Sequence, residues 1–411
     1  MRSADPMPRW LDFDAFLADT ALAVNDDARQ ALVNELIDDQ PISPWLNDDK
    51  ATFFYTHPAD AAPINQVALV LDTIINADPP FLRMEQLPGT NFWYVSHVFE
   101  RDDLLDYMLA VDDPMTPLRG DSGIALRVAT YWQDDPRNPL RMDGGETRVS
   151  VLRMGEARAY LDWTALKAVP RGKVIQHALN SELLGFSGRA LWVYTPPGYR
   201  PGARKTYPLL ILHDGQWAAG PLQIPAIADA LIKNQRLQPI VIAMIQSGAG
   251  GEREREYTPN DAHYQFLLTE LLPFIQAQYK IDAGQIAIGG VAIGAAAAGY
   301  AALQNPAVFS GAALISPPLK GGGADDPLRD LARAFESAEG LPGRIFQSVG
   351  RYEGKARFLR PALTLRETLS AQRNLAYKFA ETGSGHSLVG FKSVLPEALA
   401  WLFPGSAAPT R

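Results

Sequence analysis

The sequence predicts an α/β protein, a mainly parallel sheet with helices on both faces, preceded by a β-sandwich domain. Three observations carry that prediction. Between about residues 50 and 165, short β-type runs are separated by turn clusters, the texture of a sandwich. After about residue 175, nearly continuous apolar strand runs alternate with helical patterns, which indicates parallel strands buried on both faces. The run Ile286-Ala-Ile-Gly-Gly290 then passes directly into a helix of small residues. Both patterns are interrupted near 165–180 by Lys167, Pro170, Gly172 and Lys173, so the domains are drawn as 1–170 and 171–411.

Taken in order, residues 8–38 are one or two helices, with Trp10, Leu11, Phe13, Phe16 and Leu17, then Ala31, Leu32, Leu36 and Ile37, at helical spacing. Strands are expected at Ala51–Thr56, Val67–Leu71, Phe92–Val95 and Leu126–Tyr131, with turns at Pro88-Gly89 and Asp112-Asp-Pro114. In the second domain Ala190–Tyr194, Tyr207–Leu212, Pro239–Met244, Gln285–Ile288, Ala312–Ile315, Arg344–Ser348 and Leu375–Phe379 read as strands. Helices are expected over Ile224–Asn234, with Pro225 suited to its first turn, and over Ala262–Tyr279 and Val394–Leu402.

The 411 residues are 47% apolar and 20% charged, which is enough for sizeable cores. Against 38 basic stand 46 acidic side chains, a net charge of −8 that argues against nucleic acid as a partner. The absence of Cys excludes disulfides, iron–sulfur clusters, Cys-based zinc sites and a thiol nucleophile. The six His are scattered without ligand spacing, so no metal or other cofactor is expected. Ile286 to Leu303 carries no charge over 18 positions, the length of a transmembrane candidate. Its glycines at 289, 290, 294 and 299 fit a strand, a tight turn and a helix better. Met1-Arg-Ser-Ala-Asp-Pro6 leads into an acidic amphipathic stretch rather than an apolar signal core. The chain is therefore expected to be soluble and cytoplasmic, with no membrane partner; its oligomeric state has no sequence signature.

Gly290-Val-Ala292-Ile-Gly294 after a buried strand has the setting of a nucleophile elbow, Gly-x-Ser-x-Gly, in an α/β-hydrolase. The glycines are needed because the central residue sits in a strained turn where neighbouring side chains would collide. Here that residue is Ala292. A methyl group cannot attack a carbonyl, so the chain as it stands lacks the nucleophile. Taken alone, the segment also fits an ordinary strand–turn–helix connection.

Other segments favour the elbow. His386, in Gly383-Ser-Gly385-His386-Ser387, comes late in the chain after a strand, where the general base of this mechanism lies. His213-Asp214-Gly215-Gln216-Trp217 follows an early strand and suits an oxyanion loop, Gly215 allowing close backbone approach, with a further N–H from Ile293. Glu353, after the strand Arg344–Ser348, is the candidate for the acid that orients the base. The alternatives are a solvated loop carboxylate and a dyad without an acid. Arg253 and Arg255, in Arg253-Glu-Arg-Glu256-Tyr-Thr-Pro-Asn260, are candidates to hold an anionic substrate by their forked donors, against an exposed loop of alternating charge.

Together these motifs resemble the enterochelin esterase family, within the esterase-D-like branch of α/β-hydrolases, over most of the chain. Leu87-Pro-Gly-Thr-Asn-Phe-Trp-Tyr94 and the two Asp-Pro-x-x-Pro elements at Asp113 and Asp135 resemble its N-terminal sandwich. Trp192-Val-Tyr-Thr-Pro-Pro-Gly-Tyr199, Asp214-Gly-Gln216, Arg253 with Glu256 and Asn260, and Gly385-His386 resemble its hydrolase domain. The resemblance implies a serine esterase that opens the ester bonds of a ferric catecholate siderophore lactone inside the cell, iron arriving with the substrate. It implies position 292 as nucleophile, His386 as base, the backbones at Gly215, Gln216 and Ile293 as oxyanion hole, and Asp214, Trp217, Arg253, Arg255, Glu256 and Asn260 at the substrate. The chain departs from the family at Ser387, at Phe391-Lys392 and at Ser316-Pro-Pro-Leu319.

The largest departure is Ala292. It fits an inactivating Ser→Ala change, or a relative that has lost the nucleophile; the retained His386, glycines and oxyanion loop favour the first. Two further readings stand beside the siderophore esterase. One is an esterase for another small-molecule ester, an acylated carbohydrate or a xenobiotic, because fold does not fix substrate. The other is a non-catalytic protein that binds an ester or siderophore.

Overall fold

The computed structural model describes residues 8–71, 73, 79–144, 147–321, 323 and 326–407. The N-terminal Met1–Pro6, read above for a signal segment, lies outside the described residues. The chain divides into two compact units, Met1–Arg158 and Ala159–Arg411. The division falls ahead of residue 170 because the segment after Ala159 is tied to the second unit. There the Trp163 N–H donates to Gln223 Oε1 at 3.0 Å, and Gln223 Nε2 donates to Asp162 at 3.0 Å.

The first unit opens with α1 (Phe13–Ala21) and α2 (Asp26–Asp39), started by caps in which Asp12 accepts from the Ala15 N–H and Asn25 from the Ala28 N–H. Their apolar faces, among them Phe13, Phe16, Val33 and Leu36, join Phe54, Leu87 and Phe92 in one core. The strands are β1 (Trp45–Asn47), β2 (Lys50–Thr56), β3 (Val67–Leu71), β4 (Leu82–Arg83), β5 (Glu85–Gln86), β6 (Phe92–Val98), β7 (Leu104–Val111), β8 (Trp132–Gln133), β9 (Arg141–Asp143) and β10 (Arg148–Arg153). Among the described residues they form two antiparallel sheets, β1-β2-β6-β5 and β4-β3-β7-β10-β9 with β8 beside β7. Phe53 of the first meets Tyr107 of the second with ring centroids 4.9 Å apart, as facing layers of a sandwich do.

The expected strand Leu126–Tyr131 is instead a helix, α3 (Ile124–Tyr131). Its β-branched and aromatic content favours extended chain, but the buried Arg127 decides. Its guanidinium donates to Asp113 at 2.9 and 2.6 Å and also to Thr116 and Asp121. Pairing a buried charge outweighs a weak strand propensity. The two Asp-Pro-x-x-Pro elements thereby gain a structural meaning, because Asp113 and Asp135 are both fully buried and Asp135 accepts the Tyr107 hydroxyl at 2.9 Å.

The second unit is one eight-stranded sheet of β11 (Lys173–Ser181), β12 (Phe186–Thr195), β13 (Tyr207–Leu212), β14 (Val241–Ile245), β15 (Ile281–Val291), β16 (Phe309–Ile315), β17 (Arg344–Gly350) and β18 (Ala376–Thr382). The order is β11-β12-β14-β13-β15-β16-β17-β18; β12 pairs antiparallel with β11 and β14, and β13 to β18 run parallel. Consecutive strand residues enter different cores. Leu209 and Ile288 pack with Phe266 and Ile275 on one face, whereas Leu210 and Ala287 pack with Ile227 and Leu399 on the other. Helices therefore cover both faces, as the apolar strand runs require. They are α4 (Gly215–Ala219), α5 (Ile224–Lys233), α6 (Gly251–Tyr257), α7 (Asp261–Phe266), which continues through a wide turn into α8 (Leu272–Gln278), α9 (Ile293–Gln304), α10 (Pro327–Ser337), α11 (Arg360–Ser370) and α12 (Leu388–Leu402). The uncharged run is the end of β15 followed by the largely buried α9. No helix among the described residues is long and apolar enough to cross a membrane.

Candidate active site

Parallel register places Val291 beside Ile315, Ile315 beside Ser348 and Gly350 beside Thr382. The C-terminal ends of four neighbouring strands therefore deliver position 292, Ser316, Glu353 and His386 to one edge of the sheet. Crevices at that edge are where open α/β sheets carry their sites.

Ala292 lies between β15 and α9 with φ 51° and ψ −129°, a conformation that costs a non-glycine residue roughly 1–3 kcal/mol. Its N–H donates to Ile315 O at 2.9 Å, which ties the turn to β16. The flanking glycines are required by space. A Cβ on Gly290 would lie 2.5 Å from the Gly294 carbonyl, and one on Gly294 would lie 2.7 Å from Asp214 Oδ2. Ile293 is the first residue of α9, so its N–H has no acceptor one turn earlier in the helix.

Nδ1 of His386 donates to Glu353 Oε2 at 2.7 Å. The Glu353 side chain is fully buried and that of His386 is 33% exposed, so the carboxylate is shielded while the imidazole remains reachable. The other carboxylate oxygen, Oε1, accepts the Gly350 N–H and the Ser316 hydroxyl, both at 2.6 Å. The ring of His386 is held between Phe358, 4.3 Å away and tilted, and Phe391, 5.0 Å away and edge-on.

On the neighbouring side of the edge, Asp214 lies two residues past the end of β13 at φ 56°, and α4 starts at Gly215. Gly215 and Gln216 are the first two residues of that short helix, whose amides point out of its N-terminus. The Gln216 side chain is anchored on Ser247, donating to its hydroxyl at 2.8 Å. A fully buried Asp214 accepts from Arg253 Nε and Nη2 at 2.7 and 2.8 Å. The guanidinium also stacks 4.7 Å over Trp217. Asp214, Trp217 and Arg253 thus form one unit in which the Asp214 carboxylate is occupied by the protein itself.

The remaining residues of the charged loop are placed differently. Glu256 is buried in a two-bond ion pair with Arg189, at 2.7 and 2.8 Å. Asn260 caps α7, accepting from the Ala262 and His263 N–H groups, and donates to Arg255 O. Arg255 is exposed and lies 3.8 Å from Glu252 one turn earlier. In the sequence Ser316 stands out only as part of a departure from the family pattern, and Ser247 and Tyr257 not at all. The sequence signal for Ser316 is its place directly after the expected strand Ala312–Ile315, and the structure adds a φ of 51° there.

A parallel sheet of this order, with a strained turn after its central strand and an acid–imidazole pair at the same edge, is an α/β-hydrolase. Residues 187–402 match the Esterase family model, and the chain belongs to that family. Among solved structures it is similar to the enterobactin esterase of Shigella flexneri crystallised in the presence of enterobactin. That match has 22% identity, covers 87% of this chain and 94% of the other, and has a TM-score of 0.70. A ferric enterobactin esterase from Salmonella typhimurium matches at 22% identity over 86% of this chain and 93% of the other, with a TM-score of 0.71. These likenesses extend the shared fold over both units.

Proposed function

We propose that this protein is a serine-esterase scaffold for a ferric catecholate siderophore lactone, with its nucleophile position occupied by Ala292 as an inactivating Ser→Ala change. The observation that carries the reading is the buried Glu353 bound to His386 at the strand edge that also presents position 292 in a strained turn. With a serine at 292, His386 takes the hydroxyl proton through Nε2 while Oγ bonds to the ester carbonyl carbon. The oxyanion is received by the amides of Gly215, Gln216 and Ile293. Collapse expels the alcohol, which takes the proton from His386, and water repeats the sequence on the acyl-enzyme.

The substrate class is supported by Arg253 stacked on Trp217 and by Arg357 beside Phe358, which join cations to aromatic surfaces as an anionic aromatic ligand requires. The Shigella protein was crystallised with enterobactin. Ala292→Ser is expected to raise hydrolysis of an activated ester by on the order of 10³-fold or more. An unchanged rate in a folded variant overturns the esterase reading. Ala292 itself favours a second reading, ester or siderophore binding without turnover, which an alanine codon in the natural gene together with an inert serine variant would establish. A substrate panel on Ala292→Ser that prefers neutral glycosyl esters over catecholate lactones moves the assignment to another ester.

A further inference from the structure

Behind the oxyanion loop lies a buried histidine pair that the proposed mechanism leaves unused. The backbone N–H and ring Nδ1 of His213 both face Gly289 O, at 3.0 and 3.1 Å. A carbonyl only accepts, so Nδ1 carries the proton. Complete burial pushes His213 down to about 4, and burial, helped by the charge of Arg189, holds His263 well below the ordinary histidine range. Both rings are therefore neutral at neutral pH. Nε2 of His213 is then a bare acceptor, and His263 Nε2, 2.9 Å away, is the donor. The remaining nitrogen, His263 Nδ1, has no partner among the described residues.

The pair is anchored at both ends. Gly289 lies three residues ahead of position 292 on β15, and His213 lies two residues ahead of Gly215. His263 is in the first turn of α7, which Asn260 caps. Tyr257 packs edge-on against both rings, at 4.8 and 5.2 Å, and its hydroxyl oxygen accepts the Asp214 N–H at 3.3 Å. Each unmet nitrogen on a buried imidazole carries a desolvation cost, which His263 bears at Nδ1 and which His213 escapes because both of its nitrogens are paired. His213 therefore stays on Gly289 for as long as His263 stays on His213.

We infer that His213 and His263 form a positioning strut that fixes the oxyanion loop against the strand carrying the elbow, an inference that rests on the esterase reading of that loop. Nitrogen NMR of the unsubstituted protein is expected to find His213 protonated on Nδ1 and His263 on Nε2. The reverse tautomers, or a charged ring at neutral pH, overturn the strut. In the chain carrying Ala292, His263→Phe removes the donor and keeps the ring volume. Amide exchange over residues 213–219 should then quicken about tenfold, the factor for one lost buried hydrogen bond. His263→Gln supplies an amide donor and should stay within about twofold of the parent. Unchanged exchange in His263→Phe, or equal loosening in both variants, overturns the strut. If His263→Phe does not fold, the tautomers and His263→Gln still decide.

In the Ala292→Ser background, His263→Phe should lower kcat about tenfold at constant KM, with His263→Gln restoring it. A rise in KM at constant kcat contradicts the strut. If Ala292→Ser is itself inert, the esterase reading falls, while tautomer and exchange decide the strut separately.

Discussion

Glu353 holds His386 with one carboxylate oxygen, at 2.7 Å, and the hydroxyl of Ser316 with the other, at 2.6 Å. The acid is thereby fixed from two strand ends, and the oxygen that receives His386 has one direction in which to point. In the Ala292→Ser variant, adding Glu353→Gln replaces an acceptor-only group by one that also donates, so His386 loses the fixed tautomer its role needs. Steady-state kinetics should show kcat falling on the order of 10³- to 10⁴-fold with KM little changed. A loss below about tenfold would make the site a dyad that does not need the acid.

Ser316 is tested in the same background by Ser316→Ala. The change removes one of two donors on Glu353 Oε1 and leaves the Gly350 N–H in place. One charge-assisted hydrogen bond is lost from a buried carboxylate, worth about 1.5–3 kcal/mol of stability. Urea unfolding should show that loss, and kcat should fall by much less than in Glu353→Gln. A stability within about 0.5 kcal/mol of the parent would mean that Ser316 contributes little to holding the acid.

These residues differ in how far the sequence disclosed them. The elbow was legible because Gly290 and Gly294 answer to contacts within one strand–turn–helix unit, and such short-range constraints leave a fixed spacing. His386 was legible from its place after the last strand. Glu256 reads as a substrate contact because an exposed charge and a paired one look alike in sequence; its partner is Arg189, 67 residues earlier, while Asn260 is taken up as the cap of α7. The histidine strut was hidden for the same reason, since His213 and His263 are 50 residues apart. Leu126–Tyr131 was misread because its composition favours a strand, while the ion pair that folds it as a helix runs from Arg127 to Asp113, outside any local window.

The two-bond pair with the Asp214 carboxylate gives Arg253 a structural role. Arg253→Met leaves a fully buried carboxylate without its cation, and the folded state should lose about 3–5 kcal/mol. Arg253→Lys should recover only part of this, because a single ammonium cannot reproduce two forked bonds together with stacking on Trp217. Urea unfolding of both variants checks the prediction. A full recovery by lysine would mean that charge alone, without the fork, holds the loop.

Lys392 gives the pH dependence a definite sign. It is buried in α12, lies 4.9 Å over the Tyr160 ring, and burial brings its amine down to about 8, with the Asp162 carboxylate working in the opposite direction. Below pH 8 the ammonium is charged in both states and the folded protein carries the desolvation penalty. Between about 8 and the ordinary lysine value near 10.5, the folded chain releases the proton while the unfolded chain keeps it, so stability rises with pH. Lys392→Met should therefore be more stable than the parent at pH 7, by about 1–3 kcal/mol. The gap should narrow progressively as the pH is raised toward 10. Urea unfolding at pH 7, 8.5 and 10 follows that difference, and a gap that stays constant with pH would remove the buried ammonium as its cause.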